Sequence, residues 1–295
     1  MYFIIEDAIN GILMGSIYGL TAMGLTIIFG VLKVVNFAHG SMLMVGMYLA
    51  YWTVTLSGIH PYLAIVLVAP AMFLFGYYLQ NIVIKPIFIA EKNVREPLTV
   101  IIVTTGIWYI LDNITLLIFG PQYRGLADNP LRGQMLELGE MFISVPKLYG
   151  CVTAIVTALG VYWFFQKTDM GRAIRATSMD REAASLMGIN QYKIYNVAFG
   201  IGAATTGIAA VTLVPFYNVF PTVGVLFDIK GFIIVVLGGL GSIGGALAGG
   251  IIIGLIESVG PQFMTATWTE AIVYGLFLLV LFVKPSGLFG QKHDW

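Results

Sequence analysis

Apolar runs long enough to cross a bilayer follow one another along almost the whole of this chain, and they constrain its fold more than any other feature. A helix needs about 20 mostly apolar residues to span a hydrocarbon core of roughly 30 Å. Runs of this kind extend from Ala8 to Val31, Val34 to Leu56, Pro61 to Ile84, Leu98 to Phe119, Leu148 to Phe165, Ile194 to Val214 and Trp268 to Val283. A glycine-rich stretch from Val223 to Gly260 predicts two more passes. The expected fold is an all-α polytopic membrane protein of about eight or nine transmembrane segments, with a glycine-rich broken or re-entrant region and a cytosolic coupling helix. With 58% hydrophobic and 10% charged residues in 295, water cannot be the main solvent, and no soluble catalytic module fits between the runs. The chain therefore reads as one transmembrane domain over residues 1–295.

The first run follows Glu6 and Asp7 and lacks a basic leader, so it reads as a retained helix. Cys151 is the single cysteine, which excludes an intramolecular disulfide and a cysteine metal cluster and leaves a packing role. Fifteen basic residues balance fifteen acidic ones, so net charge implies no nucleic-acid partner, and placement carries the information. Lys and Arg are retained on the cytoplasmic side of short loops. Lys85, Lys92 and Arg95 form one basic loop, and Lys167, Arg172, Arg175, Arg181 and Lys193 form another, so both are assigned to the cytosol. The stretch from Gly120 to Pro146 mixes Arg124 and Arg132 with Asp128, Glu137 and Glu140, and it is assigned to the outside. The N-terminus then lies outside and the C-terminus, with Lys284 and Lys292, inside.

Several motifs can be set aside. Gly239, Gly241 and Gly244 fit the spacing of a dinucleotide fingerprint, but no strand and helix alternation surrounds them, and a membrane-segment bend is the better account. There is no Gly-Lys dipeptide, so the chain holds no phosphate-binding P-loop and cannot be an ATPase. His39, His60 and His293 are scattered and form no zinc motif, so no metal, cofactor or catalytic residue is expected. Glycine ladders at Gly11, Gly15 and Gly19, and at Gly241, Gly245 and Gly249, predict close helix packing inside one subunit in preference to a dimer motif.

Two regions remain as candidate sites. Asn36, Phe37, His39 and Gly40 interrupt the apolar pattern, either as a helix cap at the membrane face, with Asn36 capping, or as a broken helix lining a translocation pathway. Gly238, Gly239, Gly241, Ser242 and Gly244 are the second pathway candidates. In the basic loop at about residues 167–193, Ser178 is expected to cap a helix of about nine residues carrying Asp180, Glu182, Ala183 and Ala184, with Gly188 as a left-handed stop. Its small and apolar residues favour docking to a partner over a solvated connector.

Glu182-Ala183-Ala184 followed by Gly188 resembles the E-A-A-x-x-x-G loop of ABC importer permeases. Gly15-Ser16-Ile17-Tyr18-Gly19-Leu20, Asn36 to Gly40, Met170-Gly171-Arg172-Ala173-Ile174-Arg175, Ala184 to Ile189 and Leu237 to Ile243 together resemble the LivH-type permease of branched-chain amino-acid importers. The leucine-proline pair that often follows the loop in other importer permeases is missing after Ile194. The resemblance implies a non-catalytic subunit of a bacterial or archaeal cytoplasmic (inner) membrane importer, coupled through Arg172, Arg175 and Ser178 to Gly188. Its partners would be a homologous second permease, two cytosolic ATP-binding subunits and an extracytoplasmic substrate-binding protein. Branched-chain amino acids are the implied substrate, with urea, amides or other small polar solutes as alternatives. An ion- or proton-coupled carrier or channel is the rival class, with Asp112, Asp228, Lys230, Glu257 and Glu270 as its ionisable candidates. Single cysteines at Lys92 and Ser185 should be labelled by an impermeant reagent only from the cytosol, and one at Asn129 only from outside; the reverse pattern overturns the orientation.

Overall fold

The computed structural model describes residues 2–91, 98–126, 131, 133–139 and 141–290. The described chain is almost wholly helical. It begins with α1 (Tyr2–Leu32) and α2 (His39–Ser57), then α3 (Ile65–Leu79), which runs through a π-helical turn at Gln80–Ile84 into α4 (Lys85–Ala90). The π turn has a local cause: Pro86 has no N–H to donate and its ring collides with the carbonyl one turn back. Next come α5 (Thr99–Phe119), a hairpin of β1 (Met135–Leu138) and β2 (Met141–Ser144), α6 (Val145–Lys167), α7 (Asp169–Met179) and α8 (Arg181–Leu186). The series ends with α9 (Gln191–Leu213), α10 (Val223–Gly238), α11 (Ile243–Val259) and α12 (Ala266–Val283). The antiparallel hairpin, Met135 facing Ser144, is a small departure from the all-helical expectation.

Among the described residues, seven helical stretches are long and apolar enough to cross a membrane: Phe3–Leu32, Pro61–Ala90, Thr99–Phe119, Val145–Lys167, Gln191–Leu213, Ile243–Gln262 and Ala266–Val283. The expected Val34 to Leu56 span is shorter than the sequence pattern implied, because α2 begins only at His39. The glycine-rich stretch divides into α10 and α11, and α10 has 16 residues. Lys92, Arg95, Asp128, Asn129, Arg132, Glu140, Lys292 and His293 lie outside the described residues.

α1 and α9 are buried over most of their length and form the centre, whereas α5 and α12 are mostly exposed at the rim. Without a hydrophobic drive between helices in lipid, close backbone contact must hold such a bundle, and small residues permit it. A methyl group added to Gly24 would lie 2.6 Å from the Gly202 carbonyl oxygen, and one on Gly202 would lie 2.8 Å from that of Gly24. Along α1, Gly11, Gly15 and Gly19 meet Gly254, Gly250 and Leu247 of α11 in the same way, so this ladder is used within the chain.

The partners repeat. α1 packs on α9, α10 and α11, and α9 packs on α1, α2 and α3; α10 packs on α11 and α12 as α2 does on α3 and α5. Exchanging α1, α2, α3 and α5 for α9, α10, α11 and α12 preserves these contacts, the signature of two related halves. The buried hydroxyls of Thr21, Thr205, Thr206 and Thr212 donate to carbonyls of their own helices.

Gly250→Ala should destabilise the protein by about 1–3 kcal/mol through overpacking against Gly15 and Gly19, whereas Gly275→Ala, where a methyl group meets nothing, should be neutral or slightly stabilising. Thermal unfolding in detergent, with both variants compared to the parent, checks the contrast.

Candidate functional site

The interruption after α1 takes the chain back into the bundle. Lys33 adopts a left-handed conformation with φ of 58° and stops α1, the position a glycine commonly fills. His39, the first residue of α2, places Nε2 3.0 Å from the Thr21 carbonyl oxygen. At the rise of an α-helix, Thr21 lies about 16 Å before the end of α1, so α2 starts deep inside the helical layer. α2 then runs parallel to α5: the Phe37 N–H faces Thr104 Oγ1 at 3.4 Å, Ser41 donates to Asp112 at 2.6 Å, and Tyr48 stacks on Phe119.

A helix N-terminus placed there leaves amide donors that water cannot reach. Asn36 meets part of the need, since its Oδ1 accepts from Ala38 N at 3.1 Å and its carbonyl accepts from His39 N at 3.3 Å. Ala38, not Asn36, holds the cap position, and Asn36 is buried in its own turn. Asp228 of α10 reaches across to accept from Gly40 N at 3.1 Å. Gly40 and Gly224 touch backbone to backbone, and a methyl group on either would lie within 2.3 Å of the other's carbonyl oxygen. The N-terminal turns of α2 and α10 therefore meet at mid-depth. His39 is fully buried; Phe37 is the one member of the Asn36 to Gly40 run that is widely exposed.

The glycine-rich candidates occupy a turn near the end of α1. Gly239 and Gly241 have φ of 103° and 88°, and Ser242 accepts from Gly245 N at 3.1 Å to cap α11. Gly238 is pressed against Gly245, and Gly239 against Gly290. At Gly244, by contrast, an added methyl group meets nothing. No strand precedes the turn, in keeping with a bend in place of a nucleotide-binding loop.

Of the remaining ionisable candidates, Lys230 and Glu257 are paired, Asp112 is hydrogen-bonded, and Glu270 is exposed on α12. Lys230 Nζ lies 2.8 and 2.9 Å from the two Glu257 carboxylate oxygens, Tyr18 donates to Glu257 at 3.0 Å, and Lys230 sits 5.0 Å from the centre of the Tyr18 ring. This cluster joins α1, α10 and α11. Asp112 accepts from Ser41 and from Trp108 Nε1 at 2.9 Å. Sequence reading named these charges but had no means of pairing positions more than two hundred residues apart, such as Tyr18 and Glu257.

The loop expected to hold one nine-residue helix contains two helices. Thr168 caps α7, and Asp180 caps α8 by accepting from Glu182 N at 2.9 Å and Ala183 N at 3.0 Å. Ser178 is not the cap; its hydroxyl donates to the Arg175 carbonyl at 2.8 Å. Arg172 pairs with Asp169 and Arg175 bonds Gln166, both on the exposed side. Glu182 and Ala183 are exposed, Ala184 is buried, and Gly188 ends the segment with φ of 81°. Met179, Leu186 and Met187 stand more than four-fifths exposed, an apolar patch on a polar end of the bundle.

Helices of this length and hydropathy, with a helix start buried at mid-depth and an apolar patch at one end, define a multi-pass membrane protein of the transport type. The model of the branched-chain amino acid transport system permease component family matches residues 8–281, and the chain belongs to that family. It is 31% identical to the high-affinity branched-chain amino acid transport system permease protein BraD of Pseudomonas aeruginosa, over 99% of this chain and 98% of that one. It is 30% identical to the corresponding permease protein LivH of Escherichia coli, over 99% and 97%. A solved structure, PsaBC from Streptococcus pneumoniae in complex with Fab, overlays with a TM-score of 0.49 at 13% identity, over 94% of this chain and 91% of that one.

Lys230→Met should destabilise the protein by about 3 kcal/mol by stranding the Glu257 carboxylate, and Lys230→Met combined with Glu257→Leu should recover most of the loss. Thermal melts of the two variants in detergent measure the difference; equal melting of the single and double variants would show that the pair is not coupled.

Proposed function

We propose that this chain is one permease subunit of an ATP-driven importer for branched-chain amino acids in a bacterial or archaeal cytoplasmic membrane. The observation that carries the reading is the family match over residues 8–281, with relatives aligned end to end. In this reading the chain pairs with a homologous second permease, two cytosolic ATP-binding subunits and an extracytoplasmic binding protein. No bond of the substrate is made or broken, and ATP hydrolysis belongs to the partners. Nine membrane segments result among the described residues when α2 and α10, which begin at mid-depth, are added to the seven stretches given above.

Coupling is assigned to the segment from Arg172 to Gly188. Met179, Leu186 and Met187 give an ATPase subunit an apolar surface to grip, and Arg172, Arg175, Asp180 and Glu182 surround it with charge. A short helix fixed by the Asp180 cap at one end and the left-handed Gly188 at the other can move as a unit, and α7 and α9 carry its displacement into the bundle. That displacement would shift the equilibrium between inward-open and outward-open forms. The pathway is assigned to the Asn36 to Gly40 run and the Gly238 to Gly244 turn. Phe37, Gly241 and Gly244 present exposed surface, while Asn36, His39, Gly40, Gly238, Gly239 and Ser242 hold the backbone that positions them.

Glu182→Lys and Gly188→Leu should weaken ATPase association or uncouple hydrolysis from uptake, and Leu186→Ser with Met187→Ser should do the same by removing the apolar grip. Asp180→Ala, which loses the cap, should have a larger effect than Ser178→Ala, by about 1 kcal/mol of local helix stability. Copurification of the ATPases and binding-protein-stimulated hydrolysis are the measurements. Wild-type behaviour of all these variants would make the segment a solvated connector and remove the coupling role.

A further inference from the structure

At the hairpin end of α2 and α5, three hydrogen-bond donors are buried without an acceptor. Arg124 follows α5, its Nη2 donates to the Phe119 carbonyl at 2.7 Å, and its guanidinium lies 5.5 Å from the centre of the Trp52 ring. Its Nε is buried and has no partner. Trp52 Nε1 and the Tyr48 hydroxyl are also buried and unpartnered, and Tyr48 is only 3% exposed. The three side chains gather around one ring: Tyr48 stacks on Phe119 at 4.6 Å, Trp52 lies 5.9 Å from it, and Arg124 is bound to its carbonyl. The Arg124 charge is within electrostatic reach of the Tyr48 hydroxyl.

Buried polar groups are normally paired, and an unpaired cationic donor is among the most costly to leave so. Among the described residues the ion pairs are Arg172 with Asp169 and Lys230 with Glu257, and neither involves Arg124. The cluster thus offers a guanidinium, an indole N–H and a phenol O–H, with only a backbone carbonyl as acceptor. A donor-rich, acceptor-poor cluster around an arginine fork is the complement of a carboxylate.

We propose that Arg124, Tyr48 and Trp52 form a carboxylate-binding subsite at this end of the bundle, occupied by the carboxylate of a free amino acid. The choice of a free amino acid rests on the transport reading above, and one feature of the cluster favours it: the donors are buried, which suits a small solute better than the side chain of a docked protein.

The test uses the complete complex of both permeases and both ATPases in detergent, without binding protein, and follows intrinsic tryptophan fluorescence. Leucine and isovalerate should each give a saturable change, and isovaleramide, which has the same shape without the charge, should give none. Tyr48→Phe and Arg124→Lys should each weaken isovalerate binding about tenfold, and Arg124→Gln should abolish it, with thermal melting of the unliganded Tyr48→Phe complex unchanged. The two conservative variants keep the test decisive if Arg124→Gln fails to assemble. Asp128→Asn, further along the same segment, should leave the titration unchanged; tighter binding in that variant would show the chain's own carboxylate to be the occupant and overturn the proposal. Equal response to isovalerate and isovaleramide, or unchanged affinity in the Tyr48 and Arg124 variants, would also overturn it. So would variants that keep the isovalerate response but lose binding-protein stimulation of hydrolysis, since the clamp would then serve a protein carboxylate. A wild-type complex that the binding protein fails to stimulate counts against the transport reading alone, because the titration requires no binding protein.

Discussion

Two helix N-termini that begin inside the bundle set the central constraint on this structure. Water is excluded at that depth, so each exposed amide must find a partner in the chain. For α2 the partners are Asn36 in its own turn and Asp228 from α10, and the second of these ties the start of one helix to the first turns of the other. The contact works only because Gly40 and Gly224 have no side chains, which lets the backbones touch and brings the Asp228 carboxylate within reach of the Gly40 amide. Loss of either glycine would separate the donor from its acceptor as well as overpack the crossing.

The rest of the bundle follows from the same economy of small residues. α1 meets α9 at Gly24 and Gly202, and meets α11 along Gly11, Gly15 and Gly19. Where charge is admitted it is neutralised locally: Lys230 and Glu257 face each other with Tyr18 between them, so that α10 and α11 are pinned to α1 at one level. The repeated partner pattern means that the two halves present similar faces to each other across α1 and α9. A displacement at α7 and α8 enters this frame through α6 and α9, at the end of the bundle remote from the β-hairpin.

Arg124 contrasts with these satisfied groups. Thr26, Gln80 and Asn196 also hold buried polar groups without a partner, but the Tyr48, Trp52 and Arg124 cluster gathers three unused donors around the Phe119 ring. The polar face of α2 thus changes character along its length, from carboxylates near Ser41 to a guanidinium near Trp52. An arginine in a segment of mixed charge carries no mark in the sequence that separates it from an ordinary interfacial residue, and only the return of α2 beside α5 reveals its surroundings.

Hydropathy and segment length determined the class of protein, because lipid accepts apolar helices and little else, and the positions of Pro, Gly and charged residues located the breaks to within a few residues. The short strings at Asn36 to Gly40 and Glu182 to Gly188 marked segments where the helical pattern changes. They could not assign the roles within them: Asp180 caps α8 because the chain turns there, while Ser178, equally suited by chemistry, is still inside α7 and bonds backward. Gly244 and Gly245 are indistinguishable in sequence, yet Gly245 is pressed on Gly238 while Gly244 meets nothing, since only one of them faces the neighbouring helix. The depth at which α2 starts, the pairing of Lys230 with Glu257 and the gathering of Tyr48, Trp52 and Arg124 were decided by tertiary structure alone. Each depends on which helices become neighbours, and that is settled by backbone approach between distant glycines, which local sequence pattern does not encode.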